Sequence, residues 1–405
     1  MTLMTDNQSS QSIKVSVVVS TFNRAALLSE AVDSVFAQKD EIYELVIIND
    51  GSTDTTREYI DRLGNQHPEF VTAVNQENTG KADALNNAFS YVTGSHVIIL
   101  DDDDLLMSGC VRQHKEAIGA SETPDVFSYG PYFMFRSRDD IARRGDLTAI
   151  NWGVNDDQLF IWALESYRLQ QGAMLVPIEM YRAVGPYDKS LTRAQDYDVT
   201  LRLCRVYSGV PVGHYVLAVR EHEGPRGPQW ALHKARDRFL VWRKFDHIIL
   251  RRYRATLPLN EFLGKNVDSS EKLTTQQQRS ALIERGTIMA RRGLFREALD
   301  DFSQAAEVSP GAIPESDLET LGRALELARY DTLPRGSSRF FLQCFGPFRK
   351  LGGDRAINLL VRRLYWSLRD RLECTNIRES FLFAGVFLVS ATRAIVSRHI
   401  LRAPS

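Results

Sequence analysis

The chain has 405 residues, 43% of them apolar and 25% charged, an ordinary balance for a soluble globular protein of one large domain plus one or two small ones. A formal charge of −1 argues against a general nucleic-acid binder, and no nucleic-acid partner is expected. Four cysteines (Cys110, Cys204, Cys344, Cys374) show no C-x-x-C spacing, which suits reduced thiols in a cytoplasmic protein and offers no zinc site.

Residues 1–12 are polar, read as a disordered tail with no secretory signal. Val15–Ser20 is a β-branched run too apolar to be half exposed, so it is predicted to be a buried strand. Leu45–Asn49, Val71–Val74 and Val97–Leu100 repeat the signal, and helix-compatible stretches lie between them at Ala25–Gln38, Thr53–Gly64 and Lys81–Val92. This alternation predicts an α/β fold, a mostly parallel Rossmann-like sheet with helices on both faces. Ligands of such sheets sit beyond the carboxyl ends of the strands. Three polar elements fall there: Thr21-Phe22-Asn23-Arg24, Asp50-Gly51-Ser52 and Asp101–Asp104. From Asp125 to about Val219 the pattern loosens, with a helix predicted at Asp196–Tyr207 and a strand near Val212–Val219; a charged helix closes the domain, bounded at 13–255.

The acidic run carries the most chemistry. Four adjacent carboxylates repel one another, and Leu105 and Leu106 argue against a freely solvated loop. A strand ending in clustered carboxylates can hold a hard divalent cation through oxygen ligands; the bland alternative is a solvated acidic turn.

Residues 256–275 turn polar and are read as a linker. Within 276–330, Gly286, Gly293, Ala298, Phe302, Ala305 and Pro310 fall at tetratricopeptide-like spacings, although an ordinary helical hairpin fits nearly as well. One repeat cannot bury its own face, so it is expected to pack on the helix at Leu318–Arg329, on a protein partner or on a second copy. The tail 335–405 carries 13 Lys/Arg against 4 Asp/Glu, a net +9 that leaves −10 for the remainder. Ile357, Leu360, Val361, Leu364, Leu368 and Leu372 form an apolar stripe at helical spacing, flanked by arginines. Phe381–Ala391 is too short for the roughly 20 residues of a spanning helix. The tail reads as a peripheral element on an anionic membrane surface, or as helices packed on the protein itself or another subunit.

The motifs VSVVVSTFNR, IINDGSTD (Ile47–Asp54), ENTGKADALNNAF (Glu77–Phe89), VIILDDDD, GAMLV (Gly172–Val176), VGPYD (Val184–Asp188) and RAQDYDVTLRLC (Arg193–Cys204) stand in order at family-like spacing. From Lys14 to His222 the sequence resembles the family 2 nucleotide-sugar glycosyltransferases, with the GT-A fold. The resemblance implies an inverting transfer from a nucleoside diphosphate sugar, a UDP-sugar foremost, assisted by Mn2+ or Mg2+. The acceptor would be a glycan or lipid-linked molecule of surface polysaccharide or glycoconjugate synthesis.

By that match Phe22 stacks on the base, with backbone groups of Ser20 and Thr21 beside it, and Asp50 accepts from a uracil-type N–H. Asp50 is otherwise a turn residue before Gly51. Asn78, Gly80, Lys81 and Asp83 lie on the loop and helix start beneath the nucleotide; Lys81 is a phosphate or base contact, or equally a solvated lysine. Asp102 is the ribose contact, Asp103 the metal ligand with Asp101 close by, and Asp104 structural. Asp196 is the catalytic base, with Asp198 its competitor; a carboxylate at a helix start is also a common cap. Where the family usually has glutamate before the base, this chain has Gln195. His222 is expected near the metal. The Q-x-x-R-W motif of processive members is not kept at Gln229-Trp230-Ala231-Leu232, which implies a non-processive enzyme. The competing class is a degenerate transferase domain serving as a binding or scaffold module. A nucleotidyltransferase would need a Gly-rich phosphate loop that TFNRAALL lacks.

Overall fold

The computed structural model describes residues 13–144, 156–221, 238–265, 267, 272–308, 313–324 and 337–373. They form two compact units. The first comprises residues up to Asp156 together with Arg168–Arg238, the second Asp157–Tyr167 together with residues from Phe239 onward.

The first unit opens with three strand–helix repeats and a fourth strand: β1 (Val15–Thr21), α1 (Ala25–Phe36), β2 (Glu44–Asp50), α2 (Thr56–Gln66), β3 (Val71–Gln76), α3 (Lys81–Ala88) and β4 (His96–Asp101). Then come β5 (Leu105–Leu106), α4 (Cys110–Gly119), β6 (Val126–Tyr129), β7 (Tyr132–Phe135) and α5 (Arg138–Arg144). The chain next forms α6 (Leu159–Glu165), which belongs to the second unit. It returns as β8 (Met174–Pro177), α7 (Ile178–Val184), α8 (Gln195–Val206), β9 (Ser208–Pro211) and β10 (Leu217–Arg220).

Seven strands make one sheet in the order β3-β2-β1-β4-β8-β6-β9; β5, β10 and β7 form a smaller one. β1 runs parallel to β2 and to β4, and β2 parallel to β3, whereas β8 is antiparallel to β4 and β6. The expected mostly parallel α/β sheet is what forms. Val15, Val17, Val18 and Val19 are completely buried because β1 is flanked on both sides and covered on its faces. On α1, Leu28, Ala31, Val32 and Val35 recur at i, i+3, i+4 and i+7 and supply the buried stripe. The sheet order switches direction at β1, between β2 and β4, so a crevice opens beyond Thr21, Asp50 and Asp101. The helix predicted from Thr53 begins at Thr56, after a turn in which Asp54 Oδ1 accepts from the Thr56 amide (3.0 Å).

The second unit contains α6, α9 (Arg238–Thr256), α10 (Thr275–Arg291), α11 (Phe295–Val308), α12 (Glu315–Ala324) and α13 (Ser337–Glu373). α9, assigned from sequence to the end of the first domain, lies here, tied to α11 by Arg254, which donates to Asp301 at 2.9 and 3.1 Å. The stretch read as a linker includes a 3-10 turn, Leu259–Leu263, whose Phe262 is buried and which packs on α10. α10 and α11 form the expected hairpin, opened by a Thr274/Gln277 capping box. Gly286 lets the two helices touch: a Cβ there would lie 2.7 Å from the Phe302 ring. α12 packs on α10.

α13 is two helical segments meeting at Gly353 (φ 54°). Its first half is not free for lipid. Phe340, Phe341, Cys344, Phe348 and Leu351 are buried, with Phe348 edge-on to Phe302 (5.3 Å) and Phe340 stacked on Phe295 (4.5 Å). From the apolar stripe, Ile357 and Leu360 are buried too. Their apolar area is used within the unit, because the α10–α11 hairpin leaves an open face that needs covering. The stripe's later side chains, from Leu364, and the Phe381–Ala391 run lie outside the described residues. Among the described residues no helix is long and apolar enough to cross a membrane.

Candidate active site

Three loops interlock beyond the carboxyl ends of β1, β2 and β3. Asn23 sits in the left-handed region (φ 54°); its amide donates to Ser52 Oγ (2.9 Å), and its Oδ1 accepts from the Thr53 amide (2.7 Å). Gly51 (φ 74°) packs so closely that a Cβ would sit 2.6 Å from the Asn78 nitrogen. Ser20 and Phe22 are half-buried on this rim, Thr21 is buried, and Asn78 is exposed. Asp50 is buried (5% exposed), and both of its oxygens are engaged. Oδ1 accepts from Gln76 Nε2 (2.8 Å) and the Thr79 amide (2.9 Å), and Oδ2 from the Gly80 amide (2.8 Å). In this structure, then, the Asp50 carboxylate shapes the loop that leads into α3.

The four aspartates take different partners. Asp102 turns inward, accepting from Thr21 Oγ1 (2.8 Å) and Arg24 Nη1 (2.8 Å). Arg24 also reaches Asp103 (3.0 Å). Asp101 accepts from Lys81 Nζ (2.6 Å) and Gln171 Nε2 (3.0 Å) through the same oxygen, Oδ1. Asp104 accepts from the Arg220 amide (2.9 Å), while Arg220 Nε donates to the Asp103 carbonyl (3.0 Å). Burial pushes Asp102 up to about 6, with Arg24 pulling it down and Asp103 pushing it up. Asp104 is raised well above the usual carboxylate range by burial, then by Asp103 and Asp101. Burial opposes the charge of Lys81, yet Asp101, Asp196 and Asp102 outweigh it and hold the ammonium protonated.

On the opposite side, α8 carries two acids with different surroundings. Asp198 is 2% exposed and takes a bidentate pair from Arg202 (Nε 3.0 Å, Nη2 2.9 Å). Arg202 also donates to the carbonyls of Val184 (2.6 Å), Gly185 (2.9 Å) and Pro186 (2.9 Å), so the pair fastens the VGPYD turn onto α8. Asp196, two residues earlier, is half-buried, and its charge favours the protonated form of Lys81. Asp83, expected beneath the nucleotide, forms an ion pair with Lys189.

Residues 16–164 match the family model described as glycosyl transferase family 2. Over that stretch the chain is similar to the family 2 glycosyltransferases. An uncharacterised glycosyltransferase of Nostoc sp. is 42% identical over 117 residues, covering 29% of this chain and 36% of the relative. A Campylobacter jejuni GalNAc(5)-diNAcBac-PP-undecaprenol beta-1,3-glucosyltransferase is 34% identical over 99 residues, covering 24% of this chain and 32% of that protein. The chain thus spans about a third of the length of each of these relatives. Among solved structures, residues 1–349 of S. aureus TarS with UDP-GlcNAc are similar at a TM-score of 0.48 and 14% identity, over 87% of this chain and 91% of that one.

Within the matched stretch, carboxylate oxygens of Asp101, Asp103 and Asp104 lie within 4.8 Å of one another. An all-oxygen set crowded with like charge fits a hard divalent ion. Asp101 and Asp103 were expected in this set. Asp104 was expected to be structural, and the structure brings it in while the Arg220 amide also holds it. Asp102, bound to Thr21 and Arg24, stays outside the cluster. His222 lies outside the described residues. Sequence reasoning missed Arg24, Gln171, Tyr187 and Arg220, each of which contacts this neighbourhood directly or through one side chain. Arg24 stood in the quoted TFNR motif, but nothing in the sequence says that its guanidinium folds back onto the acidic run.

Proposed function

We propose that the protein is an inverting, divalent-metal-dependent, non-processive glycosyltransferase that moves a sugar from a nucleoside diphosphate donor, a UDP-sugar foremost, to a glycan or lipid-linked acceptor in surface glycan synthesis, at the cytoplasmic side of the membrane. The observation that carries this reading is the acidic cluster, in which carboxylate oxygens of Asp101, Asp103 and Asp104 lie within 4.8 Å of one another and Lys81 Nζ donates to Asp101 at 2.6 Å. The charge of Asp196 on α8 also favours that ammonium.

In the reaction, Asp196 accepts the proton of the acceptor hydroxyl as its oxygen bonds to the anomeric carbon. The bond from that carbon to the diphosphate breaks from the opposite face, so configuration inverts. Lys81, released from Asp101, donates to the departing phosphate. The half-buried Phe22 and the loop shaped by Asp50 hold the base, and Asp102, fixed by Thr21, is placed to meet the ribose. Asp101, Asp103 and Asp104 would hold the divalent ion, which supplies Lewis-acid neutralisation of the leaving diphosphate when bound. Asp198, closed off by Arg202, is unsuited to proton transfer with a substrate.

The test is a panel of UDP-, GDP- and dTDP-sugars assayed for nucleoside diphosphate release with Mn2+ or Mg2+. Turnover with one donor, lost on chelation and restored by the ion, is expected. No release from any donor, with or without acceptor glycans, overturns the reading in favour of a binding module.

A further inference from the structure

We infer that Gln171 and Tyr187 form a positioning pair that fixes the Asp101 carboxylate, holding Oδ1 inward so that Oδ2 is the oxygen offered to a divalent ion. The inference rests on the metal-dependent reading above.

Asp101 Oδ1 takes two donors, and they differ in kind. Lys81 reaches it at 2.6 Å on a long, flexible stem whose side chain is 39% exposed. An ammonium of that sort can transfer to an arriving phosphate. Gln171 reaches it at 3.0 Å but is 4% exposed, inside a 3-10 turn just before β8. The adjoining Gly172 packs so closely that a Cβ would meet Leu217 at 3.1 Å, so this backbone has little room to retreat.

The amide of Gln171 is itself oriented. Its Oε1 accepts from the Tyr187 hydroxyl (3.2 Å), which sets the amide with Nε2 toward Asp101. Tyr187 is 2% exposed, and its backbone is clamped twice by Asn86 of α3: the amide donates to Asn86 Oδ1 (2.8 Å), and Asn86 Nδ2 donates to its carbonyl (3.1 Å). A relay thus runs from the VGPYD turn through Tyr187 and Gln171 to the first aspartate of the run. Among the described residues Asp101 Oδ2 accepts no hydrogen bond. When a donor draws Lys81 away, the Gln171 bond remains and keeps the carboxylate in register with Asp103 and Asp104. Buried partners of ligands act in this way, and their loss costs about 10–100-fold in metal affinity.

The experiment is calorimetric titration of the full chain with Mn2+ alone, alongside thermal unfolding. Gln171→Met keeps the side-chain length but has no N–H to donate. It is expected to weaken Mn2+ binding by about 10–100-fold at an unchanged melting temperature. Tyr187→Phe removes one oxygen, and roughly a fivefold loss is expected from one neutral hydrogen bond. Because Tyr187 acts through Gln171, adding Tyr187→Phe to Gln171→Met should cost nothing more. Wild-type Mn2+ affinity in both single variants overturns the inference and leaves the metal reading standing. So do fully additive losses in the double variant. If Gln171→Met does not fold, Tyr187→Phe alone decides: unchanged Mn2+ affinity overturns the pair. A wild-type protein that ignores Mn2+ and Mg2+ overturns the metal reading, and this inference with it.

Discussion

Exchanging each acid of α8 for its amide separates chemistry from architecture. Asp198 is buried against Arg202, whose side chain is 23% exposed and keeps three backbone carbonyls when its carboxylate partner is gone. Breaking a buried pair by removing one partner costs about 3–5 kcal/mol, and the remaining carbonyls and partial exposure place Asp198→Asn near ~3 kcal/mol. For a unit of this size that lowers the melting temperature by about 6–12 °C. Asp196 is half-buried where Asp198 is buried, so Asp196→Asn should lower the melting temperature less than Asp198→Asn does. An amide cannot accept the acceptor's proton, and the transfer rate should fall by about 10²–10⁴-fold. Nucleotide affinity should stay near normal. Differential scanning and a transfer assay on the same preparations decide the matter. If Asp196→Asn kept more than about a tenth of the wild-type rate, a factor far too small for a lost general base, the base would be misassigned. If Asp198→Asn lost transfer without losing stability, the two roles would have to be exchanged.

Other outcomes concern the helical unit. Burial pushes Glu284 up to about 7, with Glu165 adding to it and Arg323 opposing it. A folded-state pKa above the ordinary 4.5 means stability that is full below that value and lost as pH rises through about 7; Glu284→Gln should flatten this slope in unfolding midpoints measured from pH 4 to 8. Gly286→Ala should destabilise by ~1–3 kcal/mol because its Cβ meets Phe302, reversing the gain of about 1 kcal/mol that helix propensity alone predicts. Deleting the chain from Ser337 onward removes Phe340, Phe341, Phe348 and Leu351 from the core. At ~1.5–3 kcal/mol for each buried side chain it should unfold the α10–α11 hairpin, detected as lost helical ellipticity. A fully folded truncated protein would mean that the tail is a separate element after all.

The strand–helix alternation was readable because β1, β2 and β4 are flanked by other strands, so their segments are unbroken β-branched runs. The hairpin at Gly286 was readable because small residues recur where two helices touch. The polar details were not, since a carboxylate looks the same whichever partner it meets. Asp50 resembles a base contact in sequence, and no spacing reveals that it also accepts from Gln76 Nε2 and from the amides of Thr79 and Gly80. Glu44, buried at the other end of the sheet, looks equally chemical, and accepts from Ser16 (2.6 Å), the Thr93 amide (2.6 Å) and the Gly94 amide (3.0 Å). The order of the acidic run was legible, but which three acids converge depends on Arg24, whose reach no spacing reveals. The assignment of α6 and α9 to the second unit was invisible because neither an apolar helix such as α6 nor a charged one such as α9 carries a mark of the core that it will enter.

The location of α6 has a bearing on how the protein is made. Leu159, Phe160, Ile161, Ala163 and Leu164 are all buried, and α6 packs on α10, where Arg291 meets Glu165 at 3.3 Å. α10 begins at Thr275, 110 residues beyond Glu165. On a ribosome moving at about 5–20 residues per second, the apolar helix waits roughly 5–20 s for its partner to emerge. Throughout that interval the later strands of the first unit can already join their sheet, while five apolar side chains stay uncovered. Lesions in α10 should then show first as poor yield and chaperone dependence of the newborn chain, with the turnover of whatever matures left intact.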